Sequence, residues 1–525
     1  MSKPVNSILI VGGGTAGWLT AAILAAKHAG HNFGENNSQK NNSGMHISLI
    51  EAPDIPIIGV GEGTWPTMRG TLHSVGIKEE DFLKACHASF KQGSKFVGWK
   101  DGSADDYYYH PFDLPQGFLE GNLAQYWVNT AGLDNKAATS FSKMACPQEH
   151  LCEKDLSPKL RSSGNYSGVA NYGYHLDAGT FSEFLKAHCV EKLGVHLIKD
   201  KVIGVVSQDN GDIAHVQTEH SGDIAADLFI DCSGFRSLLL GQHFGIPFLD
   251  KSAELPINSA LAVQVPYGED RSIKSATIST AQEAGWIWDI GLSTRRGVGH
   301  VYCDRYVSQQ QAAVQLRNYL GMNEQAFEQL TPRSIDIKPG YRETFWHKNC
   351  AAIGLAAGFL EPLEASAMML IEASANMIAD QMPVTRTSMD VLSKRFNKRC
   401  HYRWQRIIDF LKLHYALSHR QEPFWREASA ESSLSERLKE DLQLWQQQAP
   451  WKTDFDSIDE AFPAASYQYV LYGMGFKTQS HAKFNSPILE NFSRKAINNM
   501  ARNLSLITPK VESNRTLLDM INANS

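Results

Sequence analysis

The chain has 525 residues, 43% of them hydrophobic and 20% charged, an ordinary globular composition with room for two or three domains. A formal net charge of −6 gives no electrostatic footing for nucleic acid, and the most apolar later run, 350–375, is broken by Glu361, Glu364 and Glu372, which excludes it as a bilayer span. Eight cysteines are scattered without C-x-x-C or zinc spacing, so reduced, buried thiols in a cytoplasmic protein are expected.

Residues 8–11 are aliphatic and predict a buried strand. Gly12, Gly14 and Gly17 follow at the spacing G-x-G-x-x-G, and the Ala- and Leu-rich stretch 15–26 predicts the next helix. In that motif the first glycine permits a tight turn, the second lets backbone approach a pyrophosphate, and the third lets helix pack on strand. The helix N-terminus presents N–H groups to the phosphate. Because the glycines interrupt the apolar run, they suit a turn better than a secretory segment.

Residues 29–44 are polar, Asn-rich and aperiodic, and read as a surface loop. A second strand over 46–50 ends at Glu51, a carboxylate placed to bind ribose hydroxyls or simply to face solvent. The stretch 55–66 brings Gly59, Gly61 and Gly63 into a loop that suits either a flat ligand or a structural turn. A helix is expected over 81–89 and a strand over 95–99, with Lys91 between them, which composition alone makes a solvated side chain. His110 and Phe112 follow the aromatic run 107–109, by default core.

A helix over 181–192 and strands over 195–207 lead to 227–236, where the chain is expected to return to the nucleotide-binding sheet. Strand-like residues over 261–265 and 285–302 suggest a second, β-rich layer over the cofactor. Residues 349–364 read as a third strand–Gly–helix unit, with Gly354 and Gly358 packing closely on the cofactor. Glu361 and Glu364 lie in an apolar context, costly unless paired or working.

From 391 onward the pattern is helical, with Leu392, Phe396, Cys400, Trp404, Ile408 and Leu411 forming a core stripe, and Pro423 and Phe424 breaking the run. A helix over 434–448, an aromatic segment over 465–476 that could close over a pocket, and a polar, fraying tail beyond 486 complete the chain.

Taken together, GGGTAGW at 12–18, GVGEGTWP at 59–66, ASFKQGSKFVGW at 88–99, DCSGFR at 231–236, GWIWDI at 285–290 and FLEPLEAS at 359–366 resemble the flavin-dependent halogenases of the tryptophan-halogenase family, from the N-terminus to about residue 475. The W-x-W-x-I element at Trp286, Trp288 and Ile290 is the most specific of these. The resemblance implies an α/β fold: an FAD-binding, Rossmann-like domain of the aromatic-hydroxylase type with a β-rich layer (1–390) and a helical, substrate-binding C-terminal region (391–525). It implies that reduced FAD, supplied by a separate flavin reductase, and dioxygen oxidise chloride or bromide to hypohalous acid. That oxidant would pass through a tunnel to a small aromatic substrate held apart from the flavin.

By the same resemblance Lys91 is the essential lysine, which hydrogen-bonds hypohalous acid or becomes a haloamine, and Glu364 is the catalytic glutamate. FAD contacts fall on Gly12, Gly13, Gly14, Thr15, Ala16, Gly17, Glu51, Ala52, Ile55, Gly61, Gly63, Val202, Leu355 and Met368. Backbone at Ser366 and Ala367 matches the halide site, and His110, Phe112 and Tyr467 match the substrate pocket. No metal and no membrane are implied, and a homodimer is the family habit. The resemblance also implies that the two tryptophans obstruct substrate at the flavin. The chain departs from the family pattern at Gly291 (Pro in the family), Ala365 (Ser) and Ser366–Ala367 (Thr-Gly). With a weakly matched C-terminal part, these departures favour an indole or another electron-rich aromatic over free tryptophan. The alternatives are an FAD-dependent aromatic hydroxylase and a catalytically degenerate flavin-binding paralogue.

Overall fold

The computed structural model describes residues 3–28, 44–54, 61–130, 140–457, 460–484 and 486–523. The predicted loop 29–44, apart from its last residue, and the positions Ile55 and Gly59 lie outside the described residues. The chain divides by spatial proximity into two units, each assembled from three separate stretches.

The first unit (Met1–Ala88, Leu176–Lys251, Lys338–Trp404) is built around the strand Ser7–Val11, whose aliphatic side chains are buried. It pairs in parallel with His46–Glu51 on one side and Leu228–Asp231 on the other. His196–Lys199 and Cys350–Ala352 extend the parallel sheet, and Trp346–His347 closes one edge antiparallel. A sheet buried on both faces needs continuous apolar strands, which SILIV and LFID supply. The helix Thr15–His28 packs against Ala178–Glu191 and Ser366–Asp380. The return to the sheet expected at 227–236 is present. Asp231 in DCSGFR is structural: its carboxylate accepts from the backbone N–H groups of Leu239 and Leu240, both at 2.9 Å, and of Ser233 at 3.0 Å.

Two local expectations in this unit are corrected. The helix predicted over 81–89 runs only over Glu79–Ala85; His87 takes a positive φ of 49°, the chain turns, and Ser89 opens a strand. The 349–364 stretch is not one strand–Gly–helix unit. Short 3-10 turns, Gly354–Ala356 and Leu363–Ala365, intervene before the α-helix begins at Ser366. Gly354, at φ 70°, is bare because a Cβ there would lie 2.6 Å from the Ala16 methyl, and one at Gly358 would lie 2.5 Å from the Gly340 carbonyl oxygen. Both glycines make room for neighbouring protein atoms.

The second unit (Ser89–His175, Ser252–Ile337, Gln405–Ser525) holds a seven-stranded sheet in the order Arg333–Asp336, Ser259–Pro266, Arg295–Tyr302, Gly285–Gly291, Thr277–Gln282, Gly93–Val97, Tyr107–Pro111. All pairs are antiparallel except Thr277–Gln282 with Gly93–Val97. By proximity this β-rich layer groups with the C-terminal helices, whereas the sequence reading groups it with 1–390. Pro423 does not break a helix but starts one, Pro423–Ala428, where its missing N–H costs nothing. The predicted fraying tail is instead docked: Leu517 and Leu518 of the helix Asn514–Ala523 are buried.

Of the core stripe on the long helix Arg386–Ala416, Phe396, Cys400, Trp404, Ile408 and Leu411 are buried and Leu392 is half-buried. All eight cysteines are buried free thiols. Among the described residues no helix is long and apolar enough to cross a membrane.

Candidate active site

Each glycine of the G-x-G-x-x-G turn does what its position requires. Gly12 has φ 121°, and a Cβ on it would sit 2.2 Å from the Cys232 carbonyl oxygen. A Cβ on Gly17 would sit 1.9 Å from the Gly12 carbonyl oxygen, the contact that lets helix lie on strand. A Cβ on Gly14 would meet nothing within 4 Å. That open space, at the start of the helix Thr15–His28, suits a pyrophosphate approached by bare backbone.

Glu51 stands at the end of its strand as expected, but it is not a solvated side chain. It is ion-paired with Lys186, accepts from Trp18 Nε1 at 3.2 Å, and lies so close to Gly13 that a Cβ there would be 2.3 Å from its Oε2. Thr15, Ala16, Ala52, Gly61 and Leu355 are half-buried, and Gly63 and Met368 are buried, within the same unit. Val202, also half-buried, packs against the cluster of Leu9, Val11 and Ile50. The donor set and the bare turn fit a dinucleotide cofactor.

Glu364 is 5% exposed and takes φ 62°, and Ala365 after it takes φ 55°. Two successive non-glycine residues in the left-handed region cost about 1–2 kcal/mol each and mark a backbone held for a purpose. The Glu364 carbonyl accepts from Trp65 Nε1 at 2.7 Å, which fastens the loop containing Gly61 and Gly63 to this turn. Ala365 is the N-cap of Ser366–Asp380 and offers no side-chain cap, so the first N–H groups, those of Ser366 and Ala367, have no cap acceptor there. Such a helix start attracts an anion.

Nearly two turns into this helix lies Glu372, buried, accepting from Thr71 Oγ1 at 2.5 Å and Thr67 Oγ1 at 3.2 Å. Burial raises its carboxyl to about 7. A folded pKa above the unfolded value means that stability falls as pH rises from about 4.5 to about 7. We therefore expect Glu372→Gln to melt above wild type at pH 8, by the equivalent of about 3 kcal/mol, with the gap closing toward pH 5 in thermal scans.

In the second unit, Lys91 overturns the composition-based expectation: it is 1% exposed. It lies on the short strand Ser89–Lys91, paired antiparallel with 173–175. Its Nζ sits 5.3 Å from the centre of the Phe112 ring, a cation–π distance. Alternation along paired strands puts Ser89, Lys91 and His175 on one face. His175 Nε2 is 2.8 Å from Thr277 Oγ1, and burial together with the Lys91 charge holds its imidazole well below the usual range, hence neutral. Lys91 therefore stands beside a neutral ring.

His110, on the edge strand Tyr107–Pro111 of the seven-stranded sheet, meets Phe410, Phe462 and Tyr469 at ring-centre distances of 5.5, 6.2 and 6.3 Å. Tyr467 occupies a different place. Fully buried, it accepts from Arg406 Nη2 at 2.9 Å and packs on Phe410, Trp445 and Phe455. Arg406 in turn lies 3.4–3.7 Å from Asp409, Asp441 and Glu460. It is thus Tyr469, two residues on, whose ring meets His110.

Of the two tryptophans in GWIWDI, Trp288 packs its indole against its cross-strand partner Gly299, where a Cβ would be 2.1 Å from the ring. Gly299→Ala should lower stability by roughly 1–3 kcal/mol and shift the intrinsic tryptophan emission, read by thermal and fluorescence scans.

Sequence reasoning did not find Trp65, His175, Thr277 or Lys186. Only Trp65 carried a local signal, a bulky aromatic inside a glycine loop.

The comparisons with known proteins agree with this architecture. A family model described as tryptophan halogenase matches residues 7–488. The tryptophan 7-halogenase RebH of Lentzea aerocolonigenes is 32% identical over 501 residues, covering 90% of this chain and 90% of that protein. The crystal structure of a tryptophan halogenase from Shewanella frigidimarina NCIMB 400 superposes with a TM-score of 0.95 at 46% identity, over 99% of this chain and 98% of that one. BrvH, a flavin-dependent halogenase from Brevundimonas sp. BAL3, does so with a TM-score of 0.84 at 28% identity, over 98% and 99% of the two chains. With a family match across nearly its whole length, the chain is an enzyme of the tryptophan halogenase family.

Proposed function

We propose that this enzyme halogenates an electron-rich aromatic, an indole or a tryptophan-like compound, with Lys91 and Glu364 as its catalytic residues. The observation that carries this reading is Lys91: a buried ammonium over an aromatic ring, beside an imidazole kept neutral. A buried ammonium set among aromatic rings and beside a neutral imidazole is the kind of group that functional sites hold.

Reduced FAD, when bound and with dioxygen, supplies the oxidising equivalent that converts bromide or chloride to hypohalous acid. Backbone around Gly12, Gly13, Gly14 and Gly17 with the N–H groups of Thr15 and Ala16 holds the pyrophosphate, and Glu51 holds the ribose. Ala52, Gly61, Gly63, Val202, Leu355 and Met368 complete the cofactor contacts. The N–H groups of Ser366 and Ala367 hold the halide at a helix start. Lys91 aims the electrophilic halogen, as a hydrogen-bond donor to hypohalous acid or as a haloamine, and Glu364 takes the proton from the rearomatising ring. His110 and Phe112 flank the aromatic substrate, with Tyr467 behind them. A separate flavin reductase supplies the reduced cofactor.

The test supplies reduced FAD, oxygen and bromide or chloride, in competition, with a panel of indoles and phenols, and reads products by mass spectrometry. Halogenated indole from wild type is expected. Oxygenated product in halide-free buffer would instead assign the chain as a hydroxylase.

A further inference from the structure

The family match ends at residue 488, yet the residues beyond it reach the strand that carries Lys91. Asn514 is fully buried, and its Nδ2 donates to the Phe90 carbonyl at 3.0 Å, one residue before Lys91. Its own N–H donates to the Asp155 carbonyl at 2.8 Å, and the Ser157 N–H donates to the Glu512 carbonyl at 2.9 Å. Leu156 and Ser513 form an isolated bridge.

The same connection returns to the other side of Lys91. Gln92 Nε2 donates to the Leu156 carbonyl at 2.8 Å. Gln92 is further fixed by its N–H to the Ser275 carbonyl at 2.7 Å and by its carbonyl to the Phe112 N–H at 3.1 Å. The residues flanking Lys91 are thus both tied, directly or through 155–157, to one C-terminal segment. The segment is itself anchored: Leu517 and Leu518 are buried, and Arg515 donates to the carbonyls of Arg271 at 2.7 Å and Ser293 at 2.6 Å.

We infer that the C-terminal segment 512–523 is a positioning element for Lys91, with Asn514 its principal positioning residue. The inference rests on the catalytic reading of Lys91 given above. A strand of three residues has few ladder bonds of its own, and its side chain must aim a reactive halogen at one ring carbon. A small shift of the Phe90–Gln92 backbone misdirects that halogen without touching the steps that make it.

The test compares wild type with Asn514→Leu, Leu518→Ala and Lys91→Met as holoenzymes with reduced FAD, bromide and indole. It measures both brominated indole and the hypobromite captured by a simple nucleophile. Asn514→Leu is expected to lower product per oxidant formed by at least roughly tenfold, through kcat rather than KM, with total oxidant formation unchanged. Leu518→Ala removes packing from the same helix but leaves the hydrogen bond, and should keep the wild-type ratio below its melting point. A wild-type ratio in Asn514→Leu overturns the inference, and an equal loss in Leu518→Ala overturns the assignment of Asn514 as the principal positioning residue. Should Asn514→Leu fail to fold, Gln92→Met, which removes only the donor to Leu156, is judged by the same criterion. Full product from Lys91→Met would overturn the catalytic reading itself, an outcome separate from the others.

Discussion

Lys91→Met should lose brominated product by roughly 10²–10⁴-fold while hypobromite captured in solution stays at the wild-type level. The methionine keeps the length and apolar stem of the side chain and removes only the ammonium. Because Lys91 is 1% exposed, that ammonium is held at a desolvation cost of several kcal/mol. Its attraction to the Phe112 ring contributes about 0.5–2 kcal/mol toward offsetting this. Removing the charge also lifts one cause of the depressed His175 imidazole, so His175 should titrate closer to the ordinary histidine range, measurable by NMR of the ring protons. Loss of product together with loss of captured oxidant would place the defect at the cofactor instead.

The glycine turn gives the second large effect, and here three neighbouring substitutions should separate cleanly. Gly17→Ala pushes a methyl to within 1.9 Å of a backbone oxygen that has nowhere to retreat, and should cost more than about 4 kcal/mol. Gly12→Ala meets the Cys232 carbonyl at 2.2 Å and also forces an L side chain to φ 121°. Both should yield little folded protein. Gly14→Ala meets nothing within 4 Å, so the fold should survive within about 1 kcal/mol of wild type, while FAD affinity falls because the methyl fills the space for the pyrophosphate. Melting curves with and without FAD distinguish the cases. An undiminished thermal shift with FAD in Gly14→Ala would contradict the proposed cofactor site.

What the sequence revealed was local. The strand–turn–helix from Ser7 to His28 needs only neighbours, so its apolar run and glycine spacing were legible. Glu361 and Glu364 could be singled out because charge in an apolar run is anomalous by itself. The setting of Lys91 was not legible, because its burial is made by partners far along the chain. His175 and Thr277 are 102 residues apart, and Asn514 and Phe90 are 424 apart. Helix ends misread near 86 and 360 share one cause: left-handed residues that are not glycine, His87, Glu364 and Ala365, leave no compositional mark. The tail misled for a related reason, since a polar helix buries enough with two leucines when a ready surface receives them.

The burial of all eight cysteines has a consequence for the enzyme's working life. Thiolates are the protein groups that halogen oxidants destroy first, and burial pushes those of Cys146 and Cys400 up to about 12, keeping them protonated and inert. An enzyme that leaks part of its oxidant should then age with its thiol count intact, and the wear of repeated turnover should be recorded on accessible thioethers such as that of half-buried Met322 and on exposed rings such as Tyr107.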